Sequence, residues 1–561
     1  MLPAGIPRPL LRLERCEVPR FRLSKGARVT APMITEHDAA LLPARTKLLV
    51  LFAVLVGLFL AALDQTIVAT ALPAIVADLS GIRLLAWVSA GYLVASTTMV
   101  PIYGKLSDLF GRRRIVVFGI TVFLAGSALC GVAGTMLQLI LFRVLQGIGA
   151  AALTSTAFAV PADLYAPAER ARYMGFFGVV FALSSVVGPY LGGFLTDTLS
   201  WRWVFYVNVP VGAVALFLAI AKMPPLRSSH RLPIDWAGTA LLVAAVVPLL
   251  LGLTVDKRLF PWSSPLVLGL FAVSAVATAL FLAVEVRAPS PVLPLELFRN
   301  RTIAVVSVAS VFMGAAFMGA VFFLSLFMVN VVGVSATAAG TTLMPLTLAV
   351  VAGAMGSSQL VYRVGRYKGV ILGGFAVAIA GYVLLATMDT TVTRWGVTWR
   401  MIILGIGLGP AMPLLNLAAQ NAAPPGKVGA ATAARQFFMQ MGSTVGLALF
   451  GVVLANVVAA EMRAGFSPLI AQLPPAVRVQ VNLQQMGSGR AGATAPVPDA
   501  LPPQVRAAAR GIVRRAFAAG VTRIYAYSAI VLSAALLVLI ALPETPLRRS
   551  AVPPGRAASP P

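Results

Sequence analysis

The chain has 561 residues, of which 59% are hydrophobic and 11% charged, and its formal net charge is +26. Its apolar runs are longer than any helix of a water-soluble core requires, which excludes a soluble domain. The positive charge invites a nucleic-acid partner, but its placement along the chain argues against one.

Residues 1–46 are basic and contain proline, without the apolar run of a secretory signal. Met33 opens a more usual leader, Met33-Ile34-Thr35-Glu36-His37-Asp38, so the expected start is there, with 1–32 disordered or untranslated. A lipid-binding basic tail is the functional alternative. About fourteen runs of spanning length follow, near 48–72, 86–104, 115–134, 137–158, 173–195, 203–222, 236–254, 265–284, 302–328, 337–362, 369–388, 398–420, 432–458 and 524–542. Rich in Gly and Ala, they predict an all-α polytopic membrane protein rather than a barrel.

The first run holds Leu63-Asp64-Gln65-Thr66-Ile67-Val68-Ala69-Thr70-Ala71-Leu72-Pro73. An ionised side chain at bilayer depth costs from about 2.5 to more than 10 kcal/mol unless it is paired, hydrated or protonated. Asp64 is the only acid well inside any of the runs, which makes it the first candidate for function. The bland alternative is an acid at a helix end that looks into an outer vestibule.

Lys and Arg gather in alternate connections: Lys105 with Arg112, Arg113 and Arg114; Arg170 and Arg172; Lys222, Arg227 and Arg231; Arg287, Arg299 and Arg301; Arg363, Arg366 and Lys368. The intervening short connections hold few, and this asymmetry places both termini in the cytoplasm. After the second run comes Gly104-Lys105-Leu106-Ser107-Asp108-Leu109-Phe110-Gly111-Arg112-Arg113-Arg114. Gly104 and Gly111 permit a tight turn, Asp108 can cap a helix or pair with an Arg, and the Arg triplet suits an anionic inner surface. Read as charge alone, the loop is only a topology signal. The full spacing resembles the signature loop of the major facilitator superfamily. The resemblance implies that Asp108 and Arg112, with Arg113 and the two glycines, latch the halves in an outward-facing state.

The fourth run contains Arg143-Val144-Leu145-Gln146-Gly147-Ile148-Gly149. A buried Arg keeps its proton and needs an acid or several acceptors, and Asp64 is the deep acid available. Bracing against backbone carbonyls is the alternative. The string is similar to the superfamily's second motif, which implies that Arg143 faces the cavity and tunes Asp64 for proton coupling. In the fifth run, small residues at Ser184, Gly188 and Gly192 allow close helix approach, and Pro189 bends the helix. Gly188-Pro189 and Gly192-Gly193 resemble the hinge motif of the antiporter branch. Trp201-Arg202-Trp203-Val204-Phe205-Tyr206-Val207-Asn208-Val209-Pro210 suits an outer aromatic belt. Together with 63–73 it resembles the fourteen-span drug:proton antiporters of the EmrB/QacA type, and the runs at 236–254 and 265–284 match their two extra central helices.

In the second half Ser358, Tyr362, Gly365 and Arg366 form a decayed copy of the signature loop without its acid. Gln65, Thr66, Tyr92 and Gln146, with Asn416 and Gln440, are the candidates to line a substrate cavity near the midplane between the halves. Gln420, Asn421, Arg435 and Gln436, among Phe437-Phe438-Met439, suit a greasy polyspecific pocket, although core packing explains them nearly as well. The expected organisation is a basic tail over 1–46, a six-helix bundle over 47–222, the extra pair over 236–284, a second six-helix bundle over 302–543 and a cytoplasmic tail over 544–561. The second bundle is expected to carry an outward loop over 460–523, with an amphipathic surface helix near 505–515.

No phosphate-cradling loop supports a primary pump, and His37, His230, Cys16 and Cys130 suggest neither a metal cluster nor a disulfide. The function expected is a proton-driven exporter of lipophilic compounds, cationic or neutral since a single acid exchanges one proton. No cofactor is expected beyond the proton motive force, the membrane is the cytoplasmic one, and a periplasmic adaptor is a candidate partner. An endogenous lipid, siderophore or metabolite as cargo is the rival reading, and a non-transporting sensor a remote one.

Overall fold

A computed structural model describes residues 42–80, 84–224, 233–255, 257, 259–334, 342–424, 426–471 and 503–547. The leader with its Met33 start, His37, His230, the centre of the long segment and the tail from 548 lie outside these residues.

Fourteen long helices occupy the described residues, one for each apolar run. They are α1 (Ala44–Leu79), α2 (Leu85–Phe110), α3 (Arg112–Gly131), α4 (Met136–Leu164), α5 (Pro167–Thr198), α6 (Trp203–Lys222) and α7 (Trp236–Thr254). Then come α8 (Pro265–Glu285), α9 (Arg301–Val332), α10 (Met344–Val364), α11 (Lys368–Ala386), α12 (Arg394–Ala422), α13 (Val428–Ala471) and α14 (Pro503–Ile540). Thirteen of them are long and apolar enough to span a bilayer by composition; α2 is the exception. Its Ser96, Thr97 and Thr98 are buried, because α2 packs between α4 and α13 rather than facing lipid.

The two most extensive helix crossings between the halves of the chain are α2 on α13 and α5 on α10. The α7–α8 hairpin lies against α2, and its Leu242, Val246, Leu250 and Phe281 share one apolar cluster with Tyr103 of α2 and Ala433 of α13. Local chemistry sets the joints. Gly111, at φ +90°, is the whole connection between α2 and α3. Asp235, Ser264, Asn300 and Thr393 cap the N-termini of α7, α8, α9 and α12. Gly409 and Pro410 interrupt α12, and the last turn of α9 (Met328–Val332) is π-wound.

Three expectations need correction. Gly104 lies inside α2, which runs on to Phe110, so it does not shape the turn; Gly111 does that alone. Both flanks of the supposed 460–523 loop are helical: α13 continues to Ala471 and α14 starts at Pro503, so the amphipathic stretch near 505–515 is the first part of a spanning helix. Trp201 is buried edge-on against Phe205, with its indole N–H donating to Asp78 at 2.9 Å, and only Trp203 is exposed as a belt residue would be.

Candidate functional site: a buried carboxylate and a closed bundle end

Asp64 sits in mid-α1, fully buried, and its carboxylate gathers three donors. Arg143 of α4 pairs with Oδ2, while Gln146 of α4 donates to Oδ1 at 2.8 Å and Asn208 of α6 at 3.2 Å. Ser127 of α3 accepts from both amides, at 3.1 Å and 3.0 Å, and its own hydroxyl donates to the Phe205 carbonyl at 2.9 Å. Arg143 also donates to the Val88 carbonyl of α2 at 3.3 Å and to Gln146 Oε1 at 2.8 Å, and it stacks 4.3 Å from the Tyr92 ring centroid. Each partner follows from helix spacing. Arg143 and Gln146 are three apart on α4 and share a face directed at Asp64 of α1, while Gly147 and Gly149 let α4 approach α2 and α3 closely.

The arrangement can respond to one proton. An ionised Asp64 balances Arg143, which has no other carboxylate among the described residues within ion-pair distance. Protonation turns one acceptor oxygen into a donor and removes the balancing charge. Arg143 would then retain Gln146 Oε1, the Val88 carbonyl and the Tyr92 ring, so the neutral state keeps partners for the cation.

At one end of the bundle the halves are clamped together. Asp108 pairs with Arg112 at 2.5 Å, and Arg112 also reaches Asp163 of α4 at 2.9 Å. The second oxygen of Asp108 accepts the backbone N–H of Ala430 at 3.0 Å, in the first turn of α13. Asp108 therefore caps a helix of the other half, where the exposed N–H groups and the helix dipole favour a negative charge. Beside it Arg170 of α5 donates to Gln420 of α12 at 3.0 Å, and Gln420 donates to the Phe158 carbonyl at 2.7 Å and to Thr432 at 3.1 Å. Gly104 allows the close approach: a methyl there would sit 2.3 Å from Ala433 Cβ. Arg113 takes no part in this contact, since it donates within the first half to the Ile220 carbonyl at 2.6 Å.

The model of the Major Facilitator Superfamily matches residues 54–447. The chain belongs to the major facilitator superfamily. It is 39% identical over 406 residues to the multidrug transporter protein MdtP of Bacillus subtilis, covering 72% of this chain and 75% of that one. It is 38% identical over 424 residues to multidrug resistance protein 3 of the same organism, covering 76% and 82%. Among solved structures, the human organic anion transporter MFSD10 superposes with a TM-score of 0.54 at 14% identity, over 88% of this chain and 100% of that one, which supports the fold alone. The protein is thus a transporter of this superfamily related to multidrug efflux proteins, not an enzyme.

Within the superfamily fold, the candidate cavity residues divide. Tyr92 and Gln146 are buried in the Asp64 network, and Arg143, expected to face the cavity, is 2% exposed inside the first half, because α1, α2, α3, α4 and α6 close around it. Gln65 is exposed, whereas Thr66 turns toward α5 and donates to the Ser184 carbonyl at 2.9 Å. Asn416 is fully buried, with neither end of its amide bonded; Gln440 is half-buried with a free Oε1. Asn416 follows Met412, which packs on the first half, and precedes Gln420 of the clamp, so it lies on the face of α12 turned to the other half. Arg435 is buried without a carboxylate partner among the described residues, its guanidinium 3.6 Å from Met439 Sδ.

The proposed hinge residues serve first as contacts. A methyl on Gly188 would lie 2.0 Å from Thr66 Oγ1, and one on Gly192 would lie 2.2 Å from Thr70 Oγ1, so α5 rests directly on the helix that carries Asp64. Gly193 faces open space, and α5 is unbroken through Pro189. Ser127, Asn208, Asp163 and Arg170 escaped attention as site residues. A lone amide in the apolar string around Asn208 was the available signal for one of them, whereas Asp163 and Arg170 read as ordinary loop charges. Replacing Arg170 by Ala is expected to leave the Asp64 network intact while loosening the clamped end. In a background of Cys16→Ser and Cys130→Ser, a cysteine at Ser155, buried next to Gly104, should then be alkylated several-fold faster; an unchanged rate would mean that the Asp108 cap closes this end alone.

Proposed function

We propose that the protein is a proton-coupled antiporter of the fourteen-span drug:proton type, exporting lipophilic cationic or neutral compounds from the cytoplasm by alternating access. The observation that carries this reading is Asp64, fully buried at mid-helix and held by Arg143, Gln146 and Asn208. A costly intramembrane charge pair with a built-in set of alternative partners fits a group that gains and loses a proton. In the cycle, the outward-facing protein takes a proton on Asp64 and releases its cargo, and the inward-facing protein loses the proton and binds the next molecule. The clamped end is the cytoplasmic one, as the clustered Arg112, Arg113 and Arg114 favour, with both termini on that side. The orphan amide of Asn416 becomes available to cargo when the clamp opens.

Ethidium efflux from energised, efflux-deficient cells tests the proposal. Wild type should export the dye, a protonophore should abolish export, and Asp64→Asn, once shown to reach the membrane, should export at the background rate. Normal export by Asp64→Asn would move the coupling site elsewhere. If wild type moves no dye yet still carries a proton-linked flux, the cargo is endogenous.

A further inference from the structure

The α7–α8 hairpin holds a second carboxyl pair, near the clamped end and apart from Asp64. Asp235 caps α7 through Oδ1, which accepts the Gly238 N–H at 2.7 Å. Glu285, the last residue of α8, is 2% exposed, and its Oε1 accepts the Leu293 N–H. Each acid keeps one oxygen buried without a hydrogen-bond partner, Asp235 Oδ2 and Glu285 Oε2. These two free oxygens converge. A methyl built on Gly238 would lie 2.3 Å from Asp235 Oδ2 and 2.9 Å from Glu285 Oε2, so a residue larger than glycine would fill the space they share.

The charges around the pair do not neutralise it. From α2, Lys105 interacts electrostatically with Glu285, but also with Asp108, Glu296 and Lys427. Arg287 is exposed and donates to the Ala283 carbonyl at 3.0 Å, and Lys427 is paired with Glu296. No described cation stands within ion-pair distance of either acid. Both free oxygens face the space beside Gly238, where a single O–H between them would satisfy both at once. A cleft of about 540 Å³, lined by Asp235, Trp236, Arg287 and Ser290, opens beside Asp235. The Ser290 hydroxyl is likewise buried without a partner.

We propose that Asp235 and Glu285 hold one proton between them, making the base of the α7–α8 hairpin a proton site distinct from Asp64. Loss of that proton leaves two like charges side by side at the base of the hairpin. That sharing exists only in the folded chain. The stability it contributes is therefore present at low pH and lost as pH rises through the folded pair's titration.

The test uses the purified full-length protein in lipid nanodiscs, by infrared titration of protonated carboxyls and by melting temperature across about pH 6 to 9, the range over which a shared carboxyl proton can titrate. Wild type should show a carboxyl band that disappears on alkalinisation and survives Asp64→Asn, and its melting temperature should fall over the same range. Glu285→Gln, which donates an N–H in place of the shared proton, should lack the band and melt at a pH-independent temperature. Should that variant not fold, Asp235→Asn provides the same comparison, and the wild-type titration stands by itself. The proposal is overturned if wild type shows no such band, if wild type and Glu285→Gln melt in parallel, or if sodium or magnesium chloride raises the wild-type melting temperature and a cation occupies the pair. Neither readout involves transport, so these outcomes are independent of whether Asp64 couples protons to export.

Discussion

Asp64→Ala is expected to destabilise the protein by about 3–5 kcal/mol, the usual cost of stranding one partner of a buried ion pair. Arg143 would remain, 2% exposed and unable to shed its proton, with a carbonyl, an amide oxygen and an aromatic face but no anion. The double variant Asp64→Ala/Arg143→Leu should recover most of that loss, because an apolar replacement of a whole buried pair is often neutral. It should recover no proton-linked export. Unfolding in a mild detergent, followed by tryptophan fluorescence, reads the first effect, and dye efflux the second. If the single variant is as stable as wild type, water must reach Arg143 and the pair is not the organising element of the first half. If the double variant transports, the pair is structural only.

The second large effect concerns a methyl group. Gly104→Ala would place two Cβ atoms 2.3 Å apart, against a comfortable separation of about 3.5–4.0 Å. The crossing of α2 on α13 must then widen, and the 3.0 Å bond from Ala430 to Asp108 is lost with it. Export should fall at least about ten-fold, equivalent to roughly 1.4 kcal/mol against the closed state. Moving the glycine across the interface, as Gly104→Ala/Ala433→Gly, should restore export to within a few-fold of wild type, although a glycine inside α13 costs about 1 kcal/mol of helix stability. The other crossing supports the exchange. There Ser358 occupies the place of Gly104, and the partner helix supplies Gly175, whose added methyl would meet Ser358 Cβ at 3.5 Å. Failure of the swap to rescue would show that Gly104 acts through something other than space.

Much of this was legible in the residues because charges in apolar sequence leave few options. Asp64 and Arg143 had to find one another, and they do; the fourteen runs had to be helices, and they are. The unread parts depend on neighbours that spacing does not reveal. Gly104 looks like a turn residue beside Gly111, and only the position of Ala433 distinguishes close packing from a turn. Polar α2 falls short of a spanning helix by composition because its Ser96, Thr97 and Thr98 face protein rather than lipid. The stretches 460–471 and 503–523 carry Pro, Gln and Arg that suggest a loop, yet α13 and α14 extend through them as packed partners, with Met462, Phe466, Ala509 and Ile512 in one core. Asp163 and Arg170 sit at the ends of apolar runs, where charge is ordinary, so their bonds to Arg112 and Gln420 have no local signature.

The Asp64 network joins α1, α2, α3, α4 and α6 through the side chains of Asp64, Ser127, Arg143, Gln146 and Asn208 and the carbonyls of Val88 and Phe205. Five helices so bolted behave as one lever, with little internal compliance to absorb a change at its centre. On the proposed reading, a displacement caused by a proton at Asp64 is delivered at the lever's rim, where α2 rides on α13. Bending is left to the other half, whose α12 is already hinged at Gly409 and Pro410 and whose α9 unwinds into a wider coil at its end.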